Sequence, residues 1–145
     1  MVNVVICKHF WTEDEVKADK NSLYIFGDND IKKGKGGQAV IRDLPNALGI
    51  PTKKYPSHHP FAFYSDLDLE DNKKKIDHSI RLFKNVCRYY DNVVFPEDGF
   101  GTGLARLPTM APLTFAYLNE QVKQLKEFIG EIKDITVESS DESSE

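Results

Sequence analysis

Cysteine is scarce in this chain: Cys7 and Cys87 are the two among 145 residues, and neither sits in a CxxC pair or in a Cys/His set with zinc spacing. This argues against a disulfide scaffold and a structural metal, and the apolar contexts Val4-Val5-Ile6-Cys7 and Val86-Cys87 predict buried, reduced thiols. Long hydrophobic runs are missing too. The apolar stretch within Met1–Phe10 is too short for a signal peptide and is followed by Glu13-Asp14-Glu15, so the expectation is a cytoplasmic protein that does not enter a membrane. Excess positive charge is also lacking. The formal net charge is −4, and four carboxylates lie in the terminal stretch Glu138–Glu145, which leaves the rest near neutrality. A body without a positive field does not present an extended nucleic-acid surface. The common phosphate signatures are absent as well: there is no GxxxxGK[ST], and no GxGxxG followed by an acidic strand residue. A kinase, an NTPase and a conventional dehydrogenase are therefore disfavoured, and no cofactor or metal is expected. No repeat at solenoid periods is evident.

What is present is an ordinary globular composition, 40% hydrophobic and 29% charged, sized for one domain. We assign residues 1–137 to that domain and 138–145 to a disordered acidic tail with no apolar side chain to bury. Val2–Cys7, Leu23–Phe26 and Val93–Pro96 read as buried strands, dense in β-branched and aromatic residues, and Ile50–Lys53 as a short extended segment. Apolar residues at three- and four-residue steps predict a helix within Asp66–Tyr90, with Lys73–Lys75 on its wet side, and another from Pro108 to Ile129 capped by Gly130. A helix is also expected from Gly36 to about Leu44, a turn over Pro45–Gly49, and a closing edge strand over Ile132–Val137. Strands alternating with helices imply an α/β fold with a mainly parallel or mixed central sheet, and ligands on such sheets gather at the carboxyl ends of strands.

Two glycine-rich loops begin at such ends. The first runs from Gly27-Asp28-Asn29 through Gly34, Gly36 and Gly37 to Gln38; the second is Asp98-Gly99-Phe100-Gly101-Thr102-Gly103-Leu104. Glycine lets the backbone approach an anion closely and adopt the positive φ angles of an anion-binding nest, and a helix opening after the first loop would add unpaired amides. Thr102 adds a hydroxyl donor. Lys53 and Arg106 are the leading cations to face phosphate, ahead of Arg42, whose place beside Asp43 suits a solvated face. Asn29 and Asp98 are the candidates for positioning substrate or water, and Thr52 and Asp28 complete the set of candidate ligand contacts. His58-His59 carries acid/base capacity, and Tyr55, Phe61, Phe63 and Tyr64 either stack on a base or plug the core.

The stretch Leu23-Tyr24-Ile25-Phe26-Gly27-Asp28-Asn29 with Gly34–Ala39, and the stretch Val93–Pro108, resemble the macro-domain pattern of an apolar strand, an asparagine, a glycine-rich loop and a helix, followed by a second glycine loop. With Ile50-Pro51-Thr52-Lys53 they are also similar to small macro-like proteins of bacteria and phages. The likeness spans most of Leu23–Leu125 and implies a three-layer fold. It also implies a small-molecule nucleotide ligand, ADP-ribose or a relative, with Asn29 near the distal ribose and Gly99–Leu104 on the diphosphate. The reaction it implies is hydrolysis of ADP-ribosyl derivatives, an ADP-ribosylated macromolecule included. Cys7-Lys8-His9-Phe10 stands where that family carries a Gly-Asp element for the adenine. Two rival readings remain: a non-catalytic protein that sequesters a nucleotide immune signal, as a phage counter-defence would, and a protein-interaction module.

Overall fold

A computed structural model describes residues 2–143 of the chain, and the side chains of residues 2–132. Four strands form one sheet: β1 (Asn3–Cys7), β2 (Ser22–Asn29), β3 (Ala47–Lys53) and β4 (Asn92–Pro96), in the order β1-β4-β2-β3. All three pairings are parallel, with Val5 opposite Val94, Leu23 opposite Val93 and Ile25 opposite Leu48. Every strand therefore ends at the same edge of the sheet.

Alternation along β2 and β4 splits the interior in two. Leu23, Ile25, Val93 and Phe95 face a cluster with Ile76, Ile80 and Phe83 of α2 (Leu69–Val86) and Leu118, Val122, Leu125 and Ile129 of α4 (Pro112–Ser143). Tyr24, Phe26 and Val94 face a smaller cluster with Trp11, Ile41 and Val16, the last from α1 (Glu13–Ala18). The chain is thus mixed α/β, with a parallel sheet carrying apolar clusters on both faces.

Several expectations need correction. The stretch after Gly36 is a single 3-10 segment, Gly37–Ile41, because the chain must turn into Pro45 within a few residues; it is too short to carry a helix dipole. Strand β3 starts at Ala47, inside the expected turn: the Asn46 side chain donates to the carbonyls of Val16, Asp19 and Ser22 and pins the strand entry beside β2. The last helix is two. Leu107–Met110 forms a short α3, Ala111 leaves helical geometry at φ −149°, and Pro112 opens α4. The start of α4 is held by Asp66, whose carboxylate accepts from the Leu113 and Thr114 amides and from the Thr114 hydroxyl, each at 2.9 Å. Burial pushes the Asp66 carboxyl up, but these bonds outweigh it and hold the group below its usual range. Helix α4 runs on through Gly130 and through residues 132–137, where an edge strand was expected; the side chains of the acidic end lie outside the described residues.

Helix α1 was not anticipated, although its signal is in the sequence. Thr12 and Glu15 form a capping box, the Thr12 hydroxyl accepting from the Glu15 amide while the Glu15 carboxylate accepts from the Thr12 amide at 2.7 Å. Among the described residues no helix is long and apolar enough to cross a membrane.

Candidate functional site

Because all four strands end at one edge, the loops leaving them meet. They line a cleft of about 540 Å³. The loop after β1 supplies Cys7–Trp11, the loop after β4 supplies Glu97, Asp98 and Gly101–Ala105, the end of β2 and its loop supply Gly27–Asn29, Lys33, Gly34 and Gly36–Gln38, and β3 supplies Thr52, Lys53 and His58 beyond. The two glycine loops therefore share one cleft. Strand order also sets position along it, with the β1 loop at one end and the β3 loop at the other. At about 4.8 Å between neighbouring strands the mouth crosses roughly 14 Å.

In the first loop, side chains are spent on holding the backbone. Arg42 reaches Asp28 with both Nε and Nη2, the shortest contact being 2.6 Å, and the two side chains are only 11% and 7% exposed. This corrects the expectation of a solvated Arg42. The same guanidinium donates to the carbonyls of Gly34 at 2.5 Å and Lys33 at 3.2 Å. The Asn29 side chain closes the loop on itself, donating to the Lys33 carbonyl at 2.7 Å and accepting from the Lys33 amide. Gln38 bridges the loops: it accepts from the Gly27 amide at 2.8 Å and donates to the Gly99 carbonyl at 2.9 Å. The Thr52 hydroxyl donates to the Asp28 carbonyl. Asp28, Asn29, Gln38 and Thr52 thus line the cleft with their best hydrogen-bonding atoms already engaged.

The second loop is held by its backbone. Gly99 and Gly101 take φ of +76° and +78°, and a Cβ on Gly101 would lie 2.8 Å from that of Leu107, so this position admits glycine alone without rearrangement. The Thr102 hydroxyl donates to the Asp98 carbonyl, and the Leu107 amide to that of Gly101. Amides 100–105 have no acceptor among the described residues, nor do those of Gly34, Lys35 and Gly36 in the first loop. Leu104 leans over the first loop, its Cδ1 lying 3.1 Å from where a Gly36 Cβ would be. Three expected contacts fall outside the lining. Gly99 is not part of it, and Phe100 is buried against Phe95 in the larger core. Arg106, in the left-handed region at φ 48°, lies over the Phe63 ring.

The cations and carboxylates of the cleft do not cancel. Lys8, Lys33, Arg42 and Lys53 line it against Asp28, Glu97 and Asp98, and Arg42 already neutralises Asp28. Lys53 stands out. It is 8% exposed, its Nζ lies 4.6 Å above the Phe63 ring, and it has no carboxylate partner among the described residues. Burial pulls its pKa below the ordinary lysine value, since a desolvated ammonium lacks compensation. The aromatic segment after β3 resolves toward the core: Phe63 and Tyr64 are buried, while Phe61 is 73% exposed outside the cleft.

At the β1 end the lining thiol of Cys7 corrects the expectation that both cysteines are buried. Its Sγ lies 3.8 Å from both ring nitrogens of His9 and donates to the His9 carbonyl, while His9 Nε2 pairs with Glu15 at 2.7 Å. A sulfur equidistant from both nitrogens is off the lone-pair axis of either, so the trio lacks the in-line geometry of a thiol activated by a base. Phe10, at 70% exposure, is the open aromatic surface of this end, and Trp11 behind it donates its indole N–H to the Gln38 carbonyl.

The model of a protein family described as "Family of unknown function (DUF7831)" matches residues 6–121. The chain belongs to this family. No curated protein and no solved structure matches it. The matched span of this DUF7831 member contains all four strand-end loops, from Cys7 to Ala105, and stops inside α4.

Sequence reasoning ranked Arg42 behind Lys53 and Arg106 as a solvated cation, and passed over Phe10, in this DUF7831 member. Arg42 was hidden by a neighbour, Asp43, which in fact pairs with Lys35. Phe10 was hidden because the loop after β1 is short and unremarkable in composition; that it ends at the same sheet edge as the glycine loops follows from topology alone.

Proposed function

We propose that this protein binds a phosphate-bearing nucleotide, with ADP-ribose or a relative as the leading ligand, and that its fold is a three-layer, macro-domain-like arrangement. The observation that carries the reading is Lys53: a nearly buried lysine, without a carboxylate partner among the described residues, in a cleft between two glycine loops several of whose amides lack acceptors among those residues. Holding a desolvated cation unpaired costs free energy, and an anionic ligand offsets it. The loop amides add uncharged donors in a concave backbone, the chemistry that takes a diphosphate. With the diphosphate over the central loops, ring systems fall at the two ends, one against Phe10 and one near His58.

Capture is favoured over turnover by the state of Asn29. Its amide is engaged on both sides by Lys33, so it presents no free group to a ribose or a water in this arrangement. Sequestration of a nucleotide signal is accordingly the first reading, and hydrolysis of an ADP-ribosyl linkage, with Asn29 released and Asp98 assisting, the second. Calorimetric titration with pyrophosphate, ADP-ribose, NAD and cyclic dinucleotides decides between binding and none. Chromatography of the recovered ligand decides between capture and turnover. We expect saturable heat with at least one nucleotide and unaltered ligand; the absence of heat and of a thermal shift at millimolar concentration for all of them would remove the proposal.

A further inference from the structure

We infer that Arg42 is the positioning residue of the anion site, setting which face of the first glycine loop meets the ligand. The inference rests on the nucleotide-binding reading and adds to it the means by which the loop is oriented. Arg42 comes out of the 3-10 segment with its guanidinium nearly buried, fixed at one side by the Asp28 carboxylate. Its remaining donors take two consecutive carbonyls, those of Lys33 and Gly34. A trans peptide is planar, with its N–H opposite its C=O. Capturing the Lys33 carbonyl therefore turns the Gly34 amide away from the guanidinium, and capturing the Gly34 carbonyl does the same to the Lys35 amide. Both amides lack an acceptor among the described residues. Left alone, a loop with glycines at 34, 36 and 37 could present carbonyl oxygens to the cleft as readily as amides, and carbonyls repel phosphate. Only a planar fork with five donors holds a carboxylate and two carbonyls at once, which an ammonium does not reproduce.

The test compares the full chain with Arg42→Lys and Arg42→Gln, using inorganic pyrophosphate as probe. Calorimetry gives affinity, and ¹H–¹⁵N spectra follow individual amides. In the unmodified chain, pyrophosphate should move the Gly34 and Lys35 amide resonances downfield together with those of residues 101–105. In folded Arg42→Lys the second-loop resonances should still move while those of Gly34 and Lys35 do not, and affinity should fall about tenfold. A role confined to stability would lower the melting temperature and leave the pattern of shifted amides intact, and that result overturns the inference. If Arg42→Gln does not fold, Arg42→Lys, which keeps the charge against Asp28, carries the comparison; Asp28→Asn, which frees the guanidinium on one side, should weaken binding in the same resonances. Pyrophosphate that moves no amide in the unmodified chain overturns the nucleotide reading itself, whereas full binding with equal shifts in both forms overturns the positioning role alone.

Discussion

The two glycine loops reach the same cleft by different means. The first is rich in polar side chains, and these are consumed in building it: Asp28 and Arg42 on each other and on two carbonyls, Asn29 on Lys33, Gln38 on the neighbouring loop. The second carries few such bonds and depends on glycines at positive φ, with Gly101 pressed against Leu107. Side-chain chemistry in the first loop is therefore scaffolding, and what both loops offer a ligand is backbone. That arrangement supports the proposed binding of a diphosphate over acid/base chemistry.

The strongest way to break the comparison is at Gly101. Alanine there must accept a left-handed backbone, costing about 1 kcal/mol, and a contact with Leu107 that adds roughly 1–3 kcal/mol of overpacking. A loss of about 2–4 kcal/mol in urea unfolding is expected, and a neutral Gly101→Ala would mean that the second loop is not rigid. For the same reason a charged residue at Gly101 is a poor probe of the ligand. Gly103 is the better place: its Cβ would meet nothing within 4 Å, and it lines the cleft. Gly103→Glu should leave the melting temperature near that of the parent and weaken pyrophosphate and ADP-ribose binding at least a hundredfold, about 2.7 kcal/mol, by like-charge repulsion. Unchanged affinity in that variant would separate the second loop from phosphate.

A smaller effect is expected where the second loop is anchored from behind. Asp66 holds the first amides of α4, the helix that follows the loop and α3. Replacing it with Asn should cost about 1–2 kcal/mol, the usual value of a lost capping interaction. The pH dependence follows from the direction of its shift. A carboxyl held below its unfolded value stabilises the fold above that value, near pH 4, and the contribution disappears as pH falls through the folded-state pKa. The gap in melting temperature between Asp66→Asn and the parent should therefore narrow as the pH falls below about 4 and close once it passes the lowered folded-state pKa. A gap that persists in acid would assign the loss to packing.

How much of this was legible in the sequence depends on range. Buried strands announce themselves locally, as Leu23–Phe26 and Val93–Phe95 did, and the glycine loops follow directly from where those strands end. The α/β class with a parallel sheet and the meeting of both loops in one cleft came from that alone. Helix phase is less secure where a proline or glycine falls inside an apolar stripe, which is why one helix became α3 and α4, and why the last expected strand proved to be helix. Long-range polar pairing was not legible. Nothing near Arg42 in sequence marks Asp28, fourteen residues before it, as its partner, and the emptiness around Lys53 is visible only once its neighbours in space are known.

Lys53 provides the subtlest test of the contrast between scaffold and ligand contact, because the two roles predict opposite signs. Burial holds its pKa below the ordinary lysine value, so between that lowered value and about 10.4 the unfolded chain binds more protons than the native one. In that window this group makes stability rise with pH, and at neutral pH its charge is a net cost to the fold. Lys53→Met exchanges the ammonium over the Phe63 ring for an apolar group of similar length and removes the desolvation cost, so its melting temperature should equal or exceed that of the parent. Its pyrophosphate affinity should fall about tenfold, as expected for loss of one charge-assisted contact. In the unmodified chain, an anion that favours the charged form raises the Lys53 pKa, so binding takes up protons on the alkaline side and affinity declines as pH climbs past the free-state value. Calorimetry in buffers of differing ionisation enthalpy reads that uptake directly, and Lys53→Met should abolish it. A variant that loses stability and keeps its affinity would place Lys53 with Arg42 and Asn29 among the scaffold, and the ammonium would no longer speak for an anionic ligand.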